Sequence, residues 1–237
     1  MNRTIFLSTI EQRLKSPVRM ALAGALLFLP LLGMWFLPVT GFMGLDNGFK
    51  FGLIIGAGII GQDLSAGVLQ LLFARPVTRM NYVASRWLGC VALAVAMTAF
   101  QILSGWLILQ TRGMPVEADV ALTIGATQVL AAIGIVSVLT LFSSLIGGFG
   151  DLGLYLLATI FGGVMTVAGQ VTGAAWARHT GQEIGRFLSP GLNVERLIAA
   201  SSPSWFEITS FVSTIVICIT VAVWLINRRE LSYASSG

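Results

Sequence analysis

Six long apolar runs, almost free of charge, constrain this chain more than any other feature. They occupy residues 20–38, 47–62, 87–110, 120–147, 152–176 and 206–226. A hydrocarbon core about 30 Å thick is crossed by a helix of roughly 20 apolar residues. The sequence therefore predicts an all-α integral membrane protein with six transmembrane helices. Mean hydropathy is +0.87, and 10% of residues are charged, against about 25% in soluble domains. Six crossings in 237 residues leave little for a water-soluble module, which needs at least about 50 residues. One membrane domain over 1–237 is the expectation, and the run from Met20 to Leu37 is read as a retained first span rather than a cleaved leader.

Several function classes fall away on residue chemistry. His179 is the only histidine, so the chain cannot supply a multi-histidine zinc or bis-histidine haem site. It carries no HExxH, no phosphate-binding GxxxxGK[ST] and no GxSxG, the patterns of metalloproteases, nucleotide hydrolases and serine hydrolases. No acidic or basic residue falls near the centre of a span, which argues against a built-in proton or ion relay. Cys90 and Cys218 both lie inside spans, where packing is the expected role. The net charge of +4 is dispersed, with no basic cluster interleaved with aromatics, so nucleic acid is not an expected partner. Asp151, among Gly147, Gly148, Gly150 and Gly153, reads as turn chemistry. Gln101, Gln128 and Gln170 are polar groups within spans, suited to bonding between helices.

Basic residues set the topology. With the N-terminus in the cytoplasm, nine fall inside (Arg3, Arg13, Lys15, Arg19, Arg75, Arg79, Arg86, Arg228 and Arg229) and five outside (Lys50, Arg112, Arg178, Arg186 and Arg196). Both termini are then expected in the cytoplasm. Residues 1–17 place Phe6, Leu7, Ile10 and Leu14 at helical spacing, with Arg3, Glu11, Arg13 and Lys15 on other faces. That pattern predicts a helix lying in the membrane interface. The outer stretch 177–205 mixes Glu183, Arg186, Glu195 and Arg196 with Ile184, Phe187, Leu188, Leu192, Leu197 and Ile198. Short helices dipping into the outer leaflet and a surface-packed loop both fit it.

The cytoplasmic segment 61–86 contains GQDLSAGVLQLLFARPVTR. Leu64, Val68, Leu71 and Leu72 form one helical stripe, Asp63 suits the positive end of a helix, Pro76 forces a turn, and Thr78 is placed to cap the next helix. An element this amphipathic is expected to pack on a partner or on the membrane surface. Asp63, Gly67, Leu69, Leu72, Arg75, Pro76, Val77, Thr78, Arg79 and Arg86, together with the six-run layout, resemble the membrane subunits of ATP-binding cassette (ABC) transporters of the ABC type-2 permease family. The family more often has Glu at the position of Asp63 and Ser at that of Thr78.

The resemblance implies a permease subunit, an exporter more often than not, placed in a bacterial inner (cytoplasmic) membrane. It implies a cytoplasmic ABC ATPase subunit as partner, a second permease copy or paralogue, and contact with membrane lipid. ATP and Mg would reside on the ATPase, and no cofactor would be bound by this chain. The segment 63–79 would be the coupling helix, and the N-terminal helix, with Phe6, Ile10, Arg13, Leu14 and Lys15, would make a second contact. Arg75 and Arg79 serve equally as positive-inside anchors. The pairs Gly52/Gly56 and Gly169/Gly173 permit close helix approach, either at a subunit interface or pathway or within one subunit. A membrane scaffold recruiting some other cytoplasmic protein through 61–86 is the alternative, without transport.

Overall fold

The computed structural model describes residues 2–37, 42, 44–67, 69, 77–114, 116–199 and 205–234. Among these the chain is all-helical: α1 Arg3–Leu14, α2 Pro17–Phe36, α3 Gly48–Gly56, α4 Gly61–Ser65, α5 Arg79–Thr111, α6 Ala118–Leu145, α7 Gly150–Thr172, α8 Ala175–Leu188, α9 Val194–Ala199 and α10 Trp205–Ala234. Five described helices are long and apolar enough to cross a membrane: α2, α5, α6, α7 and the Trp205–Arg228 part of α10.

The second apolar run departs from the single span expected of 47–62. It divides into α3, about 14 Å long at 1.5 Å per residue, and the one-and-a-half-turn α4, with residues 57–60 as a non-helical turn between them. The cause is conformational rather than hydropathic. Gly58 has φ +65°, a left-handed conformation that side chains resist, and it reverses the path after Ala57. Hydropathy counts apolar residues and is blind to such a break.

Helix ends follow local chemistry. Pro17 stands at the first position of α2 behind Ser16, where its missing N–H costs nothing. Thr78 caps α5, its Oγ1 accepting the Asn81 N–H at 3.4 Å. At the far end of α2, Arg112 donates to the carbonyls of Met34 and Leu37, a cation at the negative end of a helix.

α6 is the central helix and packs on α3, α5, α7 and α10. Its fit to α3 is close: a β-carbon at Gly52 would overlap Ile135, and one at Gly56 would lie 3.0 Å from Leu139 Cδ1. The Gly52/Gly56 face is thus taken up inside the chain. The main apolar core includes Phe51, Ile55, Tyr82, Val83, Val136 and Ile226. Glutamines tie helices together, with Gln101 Nε2 donating to Leu26 O at 2.6 Å and Gln128 Oε1 accepting from Gly48 N at 3.1 Å. Gln170, in contrast, is exposed.

After Gly173, α8 folds back antiparallel on α7. A β-carbon at Gly169 would overlap the backbone of Arg178, so this glycine too serves packing within the chain, while Gly173 (φ +71°) makes the reversal itself. α8 descends until Pro190 lies against Gly134 in the middle of α6. α9 then returns toward the start of α6, with Val194 N–H donating to Thr127 Oγ1 at 3.2 Å.

Candidate functional site

One end of the bundle gathers the start of α2, the end of α3, α4, the starts of α5 and α7 and the end of α6, with α1 laid across α5. Five charged side chains are buried there among the described residues: Arg13, Arg19, Asp63, Arg86 and Asp151. Burying charge is costly unless it is paired or hydrogen-bonded, and here most of it is spent on the break after α3.

The break exposes carbonyls at the end of α3 and N–H groups at the start of α4, groups that hydrocarbon cannot satisfy. Arg13 Nη1 and Arg19 Nη2 both donate to Ala57 O, at 2.7 and 2.9 Å. Two cations therefore sit at the negative end of α3. Asp151 Oδ2 accepts the Gly58 N–H at 2.5 Å, and Ser143 Oγ accepts from Ile60 N and Gly61 N at 3.0 and 2.7 Å. Gly148 N donates to Gly61 O at 2.6 Å. The turn is bonded at once to α1, α2, α6, α7 and the loop between α6 and α7.

A second cluster anchors α4. Asp63 pairs with Arg86, both only 8% exposed at the side chain, and accepts from Tyr82 OH at 2.5 Å. Arg86 Nη1 reaches Gln12 Oε1 at 2.6 Å. A further link joins Asn2 N to Ser85 Oγ at 2.9 Å, so α1 is stitched to α5 at both its ends. Thr9 packs against Gly89, where a β-carbon would lie 3.0 Å from Thr9 Cβ.

These positions revise several sequence expectations. α1 turns Ile5, Thr9 and Arg13 inward and leaves Leu7 and Leu14 about half exposed; Phe6 and Ile10 are half-buried. Arg13 is not on a solvated face but is 0% exposed, because the α3 carbonyl it serves lies beneath α1. Lys15 does stay outside, paired with Glu11 at 2.5 Å, whose carboxyl it holds below the usual carboxylate range by that hydrogen bond and charge. Asp151 is no mere turn residue but the acceptor for Gly58. Asp63 and Leu69 are buried, at 6% and 7%, so neither offers a free docking surface in this conformation. Gly67, with φ +67°, has open space where a β-carbon would be. Val77 is half-buried against the core, and Thr78 is exposed. Arg79 is half-buried and engaged with neighbours. Leu72, Arg75 and Pro76 lie outside the described residues, as do Val68 and Leu71.

No group of three metal-ligating side chains occurs among the described residues. The site's chemistry is that of a joint: charged groups hold an unwound turn to several helix ends. No protein-family model matches the chain, and no curated protein matches it.

Proposed function

We propose that this chain is the membrane-spanning permease subunit of an ABC transporter. It would export substrate through conformational changes driven by ATP hydrolysis on a separate cytoplasmic ATPase subunit, and it would work with a second permease copy or paralogue. The sequence support is the Arg-Pro-Val-Thr-Arg segment at 75–79 and its surroundings. The structural support is the wiring of that segment's root. Asp63, on α4 and fifteen residues before the cap Thr78, is bonded to Arg86 and Tyr82 of α5, and Arg86 is bonded to Gln12 of α1. Three residues before α4, Gly58 is bonded to Asp151 of α7. A push delivered between α4 and α5 would reach α1, α5 and α7 through short, buried, charge-assisted bonds, which hold geometry well. In this reading the buried cluster is a transmission and the segment 63–79 is its input.

The test is co-purification with a candidate ATPase, with ATP hydrolysis read in proteoliposomes. Charge reversals Arg75→Glu and Arg79→Glu should abolish either docking or the coupling of hydrolysis to transport, while membrane insertion persists. Full docking and coupled transport in the doubly reversed protein would refute the assignment of this segment as the input.

A further inference from the structure

A polar cleft of about 530 Å³ is lined by Ser8, Glu11, Gln12, Lys15, Ser16, Arg19 and Gln62. Next to it lies an apolar groove of about 460 Å³ between α2, α3 and α7, walled by residues such as Leu22, Leu26, Leu53, Ile54, Phe149 and Leu152. Ser16 and Arg19 line both, so the two cavities adjoin at the first turn of α2. Each volume lies in the range of small-molecule sites. The groove follows α2 from Val18 to Leu26, roughly 12 Å at the helical rise.

At the junction two buried cations, Arg13 and Arg19, face one buried carboxylate, Asp151, which leaves one positive charge in excess. Arg19 is 7% exposed, lies 5.2 Å above the Phe149 ring, and spends Nη2 on Ala57 O. Its Nε has no hydrogen-bond partner. Arg13, behind it, also leaves Nε and Nη2 unbonded. Ser16 caps α2 but makes no side-chain cap bond, so the positive end of a twenty-residue helix faces the same place. The one carboxylate in the cleft, Glu11, is already matched by Lys15.

A cationic junction with a polar cleft on one side and an apolar groove on the other fits an amphiphile with a negative head. We propose that the α2–α3–α7 groove holds one acyl chain of an anionic phospholipid, with its phosphate at Ser16 and Arg19. Such a lipid would brace the α2 start against the break after α3. This inference needs only that the chain sits in a membrane and does not rest on the transporter reading.

The full-length protein, delipidated in detergent, would be offered dioleoyl phosphatidylglycerol, dioleoyl phosphatidylcholine or inorganic phosphate. Retained lipid is read by native mass spectrometry and protection by the melting midpoint. One phosphatidylglycerol should be retained about fivefold over phosphatidylcholine, the preference expected of one basic residue near a lipid phosphate. Arg19→Gln should erase that preference. Leu22→Trp, which fills the groove without touching a hydrogen bond, should lower retention of both lipids and keeps the test alive should Arg19→Gln fail to fold. Equal retention of the two lipids by the unaltered protein, or unchanged retention in Leu22→Trp, overturns the proposal. Protection by inorganic phosphate equal to that by phosphatidylglycerol overturns it too, reducing the site to one for a free anion. These outcomes are independent of ATPase docking.

Discussion

At Gly58 the chain leaves α3 with φ +65°, and at Gly173 it leaves α7 with φ +71°. Both glycines interrupt apolar helical runs with the same backbone conformation, yet their surroundings are opposite. The first turn is buried, and its freed polar groups are met by Arg13, Arg19, Asp151 and Ser143. The second stands open, with nothing near a β-carbon at Gly173, and its bonds are local, the Ala174 N–H to Thr172 Oγ1 at 3.4 Å and the Ala174 carbonyl to the Ala177 and Arg178 N–H groups at 3.2 and 3.3 Å. A break that water can reach needs no charged side chains; one that water cannot reach must have its hydrogen bonds supplied by protein. That difference separates a joint that couples many elements from a simple reversal that positions α8 on α7.

Substitutions can break or sharpen this contrast. The largest effect is expected at the anchor of the buried joint: Asp63→Ala leaves Arg86 and Tyr82 without their acceptor and should cost about 3–5 kcal/mol, as for other broken buried pairs. Denaturation of the purified protein in detergent reads it. The double variant Asp63→Leu/Arg86→Met, which removes both charges, should recover most of the loss. No recovery would mean that the pair does more than satisfy itself. Gly58→Ala should cost roughly 2–3 kcal/mol, because the left-handed penalty adds to crowding against Gln62 and the Gly148 carbonyl. Asp151→Ala should cost about 2 kcal/mol by leaving the Gly58 N–H buried and unbonded. Hydrogen exchange at that amide should rise in parallel. Gly173→Ala should cost only about 1 kcal/mol, the backbone term alone, and equality with Gly58→Ala would erase the distinction drawn above. Smallest of all, Thr172→Val at the open turn should stay within about 0.5 kcal/mol.

Much of the architecture was legible in residue order. Five of the six apolar runs correspond to helices long enough to cross a membrane, because hydropathy and length suffice for that inference. The exception, 47–62, carried its own warning in Gly56, Gly58 and Gly61, a density of glycine that weakens helix propagation. The Thr78 cap was readable for a local reason, since a cap depends on residues three apart. The site was far less legible. Arg13 and Arg19 looked like ordinary positive flanks and Asp151 like a turn residue, because each partner lies 38 to 93 positions away. The signal that could have found them is a conjunction: charges flanking several apolar runs at the same end of the bundle as a glycine-broken run.

Residue order alone determined that this chain is helical and that its long apolar runs can cross a membrane, because a stretch of about 20 apolar residues spans the hydrocarbon core as a helix. Only the tertiary structure decided where the second run breaks open, which charges are buried against it and which glycines face a neighbouring helix. Those outcomes depend on distant groups meeting in a low-dielectric interior, where an unmet hydrogen bond is expensive and each polar atom's fate is set by its neighbours in space.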